Sequence, residues 1–181
     1  MAQGFSQVLG VDYFDTFAPV AHLASICTIL AFAAAEDYKT GQIDIKAAYL
    51  NGELTEDVVI FMKQAPGYEG MSVCENGKTR VYRLWKLLYG WKQARRWYQK
   101  LVEIMVKLGL SRCEGDQAVF YRRCKKTKVL IIVLVHIDDC SIVGKSKGLI
   151  ARFKVEIAKF IDITDIGDLH WILGIEVHRI H

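Results

Sequence analysis

Proline is scarce in this chain, two residues in 181, and no stretch resembles a low-complexity linker. Paired cysteine motifs are lacking as well. The five cysteines, Cys27, Cys74, Cys113, Cys124 and Cys140, are odd in number and none stands in Cys-x-x-Cys spacing. That argues against a disulfide framework and a zinc site and leaves ordinary reduced thiols. There is no long apolar run either. The longest, Val129 to Val135, has seven residues, whereas a bilayer span needs about 20. The opening residues, Met-Ala-Gln-Gly-Phe-Ser-Gln, lack the basic and apolar regions of a signal peptide. An intracellular protein that does not engage a membrane is therefore expected.

What is present suffices for a core. The apolar fraction is 52%, so the chain is expected to fold, and its length suits one domain spanning 1–181. The net charge of +4 conceals an asymmetry. Residues 1–77 carry three Lys/Arg against ten Asp/Glu (−7), residues 78–128 fifteen against three (+12), and residues 129–181 six against seven (−1). The middle third is a candidate surface for a polyanion, or else a solvated basic face.

Residues 20–36 are Ala- and Leu-rich after Pro19 and predict a helix. In Thr40-Gly-Gln-Ile-Asp-Ile the residues alternate like a strand, and Asn51-Gly52 marks a turn. Val58 to Met62 and Arg80 to Leu84 predict short strands. From Trp85 to Lys107 apolar residues recur at three and four, which predicts a helix stopped by Gly109, with Gly90 near its start as the loop-to-helix junction. Trp85, Trp91 and Trp97 follow that spacing, and core packing is their expected role. Val119–Arg122 and Val129–Ile137 predict strands, with Cys140–Gly144 as a hairpin return. Residues 148–160 predict an amphipathic helix, and Trp171 to Arg179 a last strand. Helices on one face of an antiparallel sheet make an α+β domain.

Two adjacent carboxylates, Asp138 and Asp139, lie in this apolar hairpin. Desolvation and mutual repulsion penalise such a pair unless it is neutralised or meets a cation. A divalent ion such as Mg²⁺, which takes oxygen ligands, is the natural partner. The alternative is a solvent-exposed Asp-Asp turn. Asp44 also interrupts an apolar strand, Ile43-Asp44-Ile45. It is either a strand-end cap or a third ligand. Three such carboxylates at one place could hold two metals about 3.5–4 Å apart.

Several blocks then resemble one family. Val11-Asp-Tyr-Phe-Asp-Thr-Phe-Ala-Pro-Val20 resembles D-Y-x-[ED]-T-F-A-P-V, and Gln42-Ile-Asp-Ile-Lys-Ala-Ala-Tyr-Leu-Asn-Gly52 resembles a first catalytic block. Leu88-Tyr-Gly-Trp-Lys-Gln-Ala94 resembles L-Y-G-L-K-Q. Val135-His-Ile-Asp-Asp139 stands where the family reads Y-V-D-D, and Asp165 to Val177 resembles D-L-G-x-L-x-x-F-L-G-I-E-V. With Ala2 to Gln7 as an opening strand, these blocks resemble, end to end, the reverse transcriptase of copia-type LTR retrotransposons. The resemblance implies a fingers/palm fold without a thumb, acting as an RNA-directed DNA polymerase. It implies Asp44, Asp138 and Asp139 as catalytic carboxylates holding two Mg²⁺ or Mn²⁺ ions, with the carbonyl of Ile45 nearby. It places Tyr49, Tyr89, Gly90 and Lys92 at the incoming nucleotide. His136, Arg95, Arg96, Leu173 and Gly174 would meet primer or template. Implied partners are an RNA or DNA template with its primer, dNTPs, and the rest of a Pol polyprotein: thumb, ribonuclease H and integrase. The implied setting is a cytoplasmic virus-like particle.

Departures from the pattern are specific. The family's K-A-R-L-V stretch would lie before Met1, and no thumb follows His181. His136 replaces a tyrosine, Cys27 an arginine, Arg95 a proline or glycine, and Thr164 a lysine that is a candidate proton donor to pyrophosphate. These favour a second reading, a decayed remnant that at most binds nucleic acid. A third, an unrelated two-metal nuclease or cyclase, rests on the carboxylates alone.

Overall fold

The apolar run at 129–135 becomes the centre of a six-stranded sheet. Branched aliphatic residues on alternating sides suit a strand buried from both faces. That strand is β6 (Leu130–His136), with Ile131, Val133 and Val135 on one face, Ile132 and Leu134 on the other, all buried. The spatial order is β4 (Ser111–Arg112), β5 (Val119–Arg123), β6, β7 (Asp139–Gly144), β1 (Lys39–Ile45) and β8 (Ile163–Gly167), every neighbouring pair antiparallel. The computed structural model describes residues 7, 8, 10, 18–52, 54, 59–65, 67, 68, 80–86, 88, 94–124 and 129–179. The chain divides into two compact units, Ala18–Ala48 with Tyr98–His181, which contains this sheet, and Met1–Phe17 with Tyr49–Trp97.

Strand alternation sorts the side chains of the sheet. Gly41 and Ile43 of β1 share a face with Cys140, Ile142 and Gly144 of β7. Helix α3 (Lys147–Ile157) crosses this face, and Ile150 is why two glycines sit there. A Cβ at Gly41 would stand 2.8 Å from Ile150 Cγ2, and one at Gly144 3.1 Å from Ile150 Cγ1. Ser146 caps the helix by accepting the Leu149 N–H at 3.2 Å. Gln42 and Asp44 of β1, with Asp139 and Ser141 of β7, point to the opposite face.

Two further helices frame the sheet unit. α1 (Leu23–Ala35) lacks a side-chain cap of its own. The buried Asp116 substitutes, accepting the His22 N–H at 2.9 Å and the Ala118 N–H at 3.0 Å. α2 (Ala94–Lys107) buries Tyr98, Leu101, Ile104, Met105 and, just past its end, Leu108, a 3–4 spacing. Its end is a Schellman motif. Gly109 has φ +76, its N–H donates to Val106 O (2.9 Å), and the Leu110 N–H donates to Met105 O (2.9 Å). Arg122 then donates to Leu108 O at 2.6 Å and pairs with Glu156 of α3 at 3.1 Å.

In the other unit, β2 (Ile60–Met62) pairs antiparallel with β3 (Tyr82–Leu84). Leu54 and Ile60 are buried together, with Tyr49 and Leu84 packed on them. Phe61 and its cross-strand partner Arg83 are exposed, and the Arg83 guanidinium lies 4.3 Å from the Trp85 ring centroid.

The structure corrects four expectations. Trp85, Lys86 and Leu88 are not helical; among the described residues α2 covers Ala94–Lys107. The Leu54 N–H donates to Trp85 O (3.1 Å), which pairs this backbone sideways instead of along a helix. Trp85 is accordingly 61% exposed rather than core, whereas Trp97 is buried as expected. Gly90 and Trp91 lie outside the described residues. The single strand expected over Trp171–Arg179 is a hairpin, β9 (Trp171–Ile172) and β10 (Ile175–Glu176), turned at Leu173-Gly174 with φ +50 and +75. Positive φ at both central residues is the I′ pattern of two-residue hairpins. β8 was not anticipated as a strand; its five residues, Ile-Thr-Asp-Ile-Gly, are mostly exposed and carry no alternating burial signal. Among the described residues, no helix is long and apolar enough to cross a membrane.

Candidate carboxylate site

The two strands that carry the acids are neighbours. β1 and β7 pair so that Asp44 stands directly opposite Asp139. Cross-strand partners have Cβ atoms about 4.5–5.5 Å apart on one face. Asp138 is the second residue of the two-residue turn between β6 and β7, which His136 and Asp139 close as a pair. The Ile45 N–H donates to Asp138 O at 2.8 Å and ties the turn to the end of β1. Ile137, the first turn residue, has φ +60. A branched side chain there is strained, since the first position of a II′ turn favours glycine.

One transverse row crosses the sheet face at this level. Thr164 of β8 is the partner of Asp44, Asp44 of Asp139, and Asp139 of His136. β8 reaches this register through an irregularity between Gln42 and Ile43, whose partners jump from Gly167 to Asp165. The jump turns Asp165 to the α3 side, where buried Lys154 pairs with its carboxylate and donates to Gly167 O at 3.1 Å.

Electrostatics at the row are uncompensated. Burial first, then the neighbouring Asp138, raise the Asp44 carboxyl above its ordinary value. The Asp139 carboxyl is also raised, by burial above all. A hydrogen bond from Gln42 and the nearness of His136 work downward, while Asp44 and Asp138 push it further up. The Cys140 thiol, fully buried beneath the acids, is driven far up by burial and by the three carboxylates, so it has no nucleophilic role. His136 Nδ1 and Ser141 Oγ are buried without a hydrogen-bond partner.

The donor set is all carboxylate oxygen with excess negative charge, the chemistry a hard divalent cation requires. Among the described residues, no three His, Cys, Asp or Glu side chains are assembled closely enough to hold a metal ion as they stand.

The remaining sequence candidates are distributed. Tyr49 lies in a short 3₁₀ turn, Ala48–Asn51, packed against Leu54 and Ile60 in its own unit. Arg95 is exposed and Arg96 half-buried in the first turn of α2, in that same unit. Leu173 and Gly174 form the tip of the β9–β10 hairpin, with Leu173 exposed. Tyr89, Gly90 and Lys92 lie outside the described residues. Two residues of the acid face escaped sequence reasoning as neighbours of the acids. Gln42 donates to both Asp139 oxygens, and Thr164 sits beside Asp44. The period of two along β1 could have placed Gln42 on the face of Asp44. Nothing local could have paired Thr164 with it.

A family model described as reverse transcriptase (RNA-dependent DNA polymerase) matches residues 1–181, the whole chain. Among curated relatives, the chain is 39% identical over 180 residues to the retrovirus-related Pol polyprotein from transposon TNT 1-94 of Nicotiana tabacum. That match covers 99% of this chain and 13% of the relative. It is 33% identical over 181 residues to the retrovirus-related Pol polyprotein from transposon RE1 of Arabidopsis thaliana, covering 99% of this chain and 12% of that one. A putative transposon Ty5-1 protein of Saccharomyces cerevisiae is 30% identical over 138 residues, 76% of this chain and 42% of its own length. The chain thus spans about an eighth of the polyproteins from TNT 1-94 and RE1.

Proposed function

The chain belongs to the reverse transcriptase (RNA-dependent DNA polymerase) family, and on that premise we propose that it carries the nucleotide-addition site of a copia-type retrotransposon Pol polyprotein. The single observation that supports this is the register of Asp44 opposite Asp139, with Asp138 in the adjoining turn. The fingers/palm assignment and the polymerase partners belong to the same proposal. The family match displaces the unrelated nuclease or cyclase.

In this reading Asp44, Asp138 and Asp139 would hold two Mg²⁺ or Mn²⁺ ions, with the Ile45 carbonyl beside them. Bound there, the ions would supply Lewis acidity at the primer hydroxyl and charge neutralisation at the leaving pyrophosphate. The reaction joins the primer 3′-oxygen to the α-phosphorus of a dNTP. The bond to the bridging oxygen breaks, and the hydroxyl proton is lost to solvent. Because phosphoryl transfer depends mainly on positioning and charge, the protein's task is to orient the two partners. Tyr49 would lie beneath the incoming sugar and reject a ribose by bulk. Tyr89, Gly90 and Lys92 would contact the nucleotide. His136, Leu173 and Gly174 would meet the primer end, and Arg95 and Arg96 the phosphate backbone.

A second reading, a non-catalytic remnant that binds nucleic acid, is favoured by one specific contact. Thr164, in the place of the family's lysine, is the strand partner of Asp44. A hydroxyl there cannot protonate pyrophosphate as an ammonium would. Primer extension by the purified chain with Mg²⁺ or Mn²⁺ separates the readings. Extension that Asp138→Asn reduces at least about 100-fold, the scale of losing one charge-stabilising group, supports polymerisation. No extension, or extension indifferent to Asp138→Asn, leaves the remnant.

A further inference from the structure

Gln42 is two residues before Asp44 and only 7% exposed. Its side-chain Nε2 donates to Asp139 Oδ1 at 2.7 Å and to Oδ2 at 2.9 Å. The residue directly across from Gln42 is not Asp139 but Ser141, whose buried hydroxyl has no hydrogen-bond partner. The amide therefore passes over the nearest polar group on the partner strand and reaches diagonally to the carboxylate. A donor facing a charge forms the stronger bond, and a long unbranched side chain spans the diagonal. Gln42 itself cannot move far, because its backbone is clamped between Ser141 of β7 and Gly167 of β8.

We propose that Gln42 is a positioning residue for the carboxylate site, fixing the direction in which Asp139 presents its oxygens to a divalent cation. The inference rests on the metal-site reading above. An ionised carboxylate has about four acceptor positions, so the amide occupies part of that capacity and leaves the rest for a cation. Without it, Asp139 is free to rotate about its own side-chain bonds, and repulsion from Asp44 and Asp138 would turn it away from them. The ordering that metal binding needs would then be lost before the ion arrives. Hydrogen-bond partners that orient metal ligands typically contribute 10–100-fold to metal affinity.

The experiment is Mn²⁺ titration of the full 181-residue chain, followed by electron paramagnetic resonance and calorimetry, alongside thermal melts without metal. Gln42→Met keeps the volume and removes the donors; Gln42→Leu removes them with a shorter, branched apolar side chain. Both are expected to weaken Mn²⁺ binding at least about 10-fold while the metal-free chain stays folded. A purely structural amide would instead lower the melting temperature and leave the folded protein's Mn²⁺ affinity unchanged, which overturns the inference. If Gln42→Met fails to fold, the result is read from Gln42→Leu. Mn²⁺ binding lost on Asp139→Asn but retained in the folded Gln42 variant overturns the positioning role alone. Mn²⁺ binding unaffected by Asp139→Asn overturns the metal-site reading itself.

Discussion

Asp44 and Asp139 impose a cost on the folded chain because burial raises both carboxyls, with Asp138 adding to it at Asp44, and Asp44 and Asp138 at Asp139. A carboxyl raised on folding binds its proton more tightly in the native state than in the unfolded one. Its favourable contribution is full below the ordinary carboxylate value and is lost as pH rises through the raised one. At neutral pH both groups are therefore net destabilising in the absence of a cation. Asp44→Asn should raise the metal-free melting temperature at pH 7 by about 1–3 °C, the equivalent of a fraction of a kcal/mol in a chain of this size. The gain should vanish below the ordinary carboxylate range, where Asp44 is protonated and resembles asparagine. Equal or lower melting of Asp44→Asn at pH 7 would refute this account. Asp116 shows the contrary case. Burial pushes its carboxyl up, but the Ser25 hydroxyl, the N–H groups of His22 and Ala118, and the His22 ring outweigh it, so the net value is lowered.

The elements are positioned by a few contacts that a sequence pattern does not display. α3 lies close on the sheet because Gly41 and Gly144 leave room for Ile150. Gly41→Ala would bring a methyl to 2.8 Å from Ile150 Cγ2, an atom one bond from the α3 side chain's branch point and unable to swing aside alone. The expected loss is about 1–3 kcal/mol by overpacking, measured by urea denaturation. Ile150→Ala, which removes that methyl, should cost less in the Gly41→Ala background than in wild type; additive costs would show that the contact is not the cause. Several elements were readable in advance. The apolar repeat and Gly109 marked the body and stop of α2, and the alternation at 40–45 marked β1. Trp85 and Leu88 misled, because they fit a helical spacing while their backbone is not helical and Trp85 O accepts from the Leu54 N–H. β8 was missed for the complementary reason. An edge strand that is largely exposed need not alternate.

For the molecule as a whole, the charge distribution makes a prediction independent of the acid site. Residues 78–128 carry fifteen Lys/Arg against three Asp/Glu. If this segment meets a nucleic-acid backbone, binding releases counterions, and affinity falls steeply with salt. With as few as about three phosphates neutralised, raising salt from about 50 to 200 mM should weaken template-primer binding roughly 40-fold. Replacing Arg95 and Arg96 together by alanine should reduce the log–log slope by about two. Fluorescence anisotropy of a labelled template-primer measures both, and a slope unchanged by the double substitution would remove these arginines from the interface. The chain spans 12–13% of the TNT 1-94 and RE1 polyproteins, so exposed apolar side chains such as Phe61, Trp85 and Trp171 are described within a fraction of the length of such proteins.

Family and the α+β class were legible in the sequence alone, and Asp44, Asp138 and Asp139 stood out there as candidates, because each reading rests on local information: residue type, spacing along the chain and periodicity of burial. Asp138 and Asp139 are chain neighbours, so their repulsion was already legible there. That Asp44 stands opposite Asp139, that Thr164 stands beside Asp44, and that Gln42 engages Asp139 rather than Ser141 were decided only by tertiary structure. The physical reason is strand register. Side chains alternate with a period of two, so a shift of one residue in the β1–β7 or β1–β8 pairing would carry these groups to the opposite face, and no segment of the chain taken by itself contains that choice.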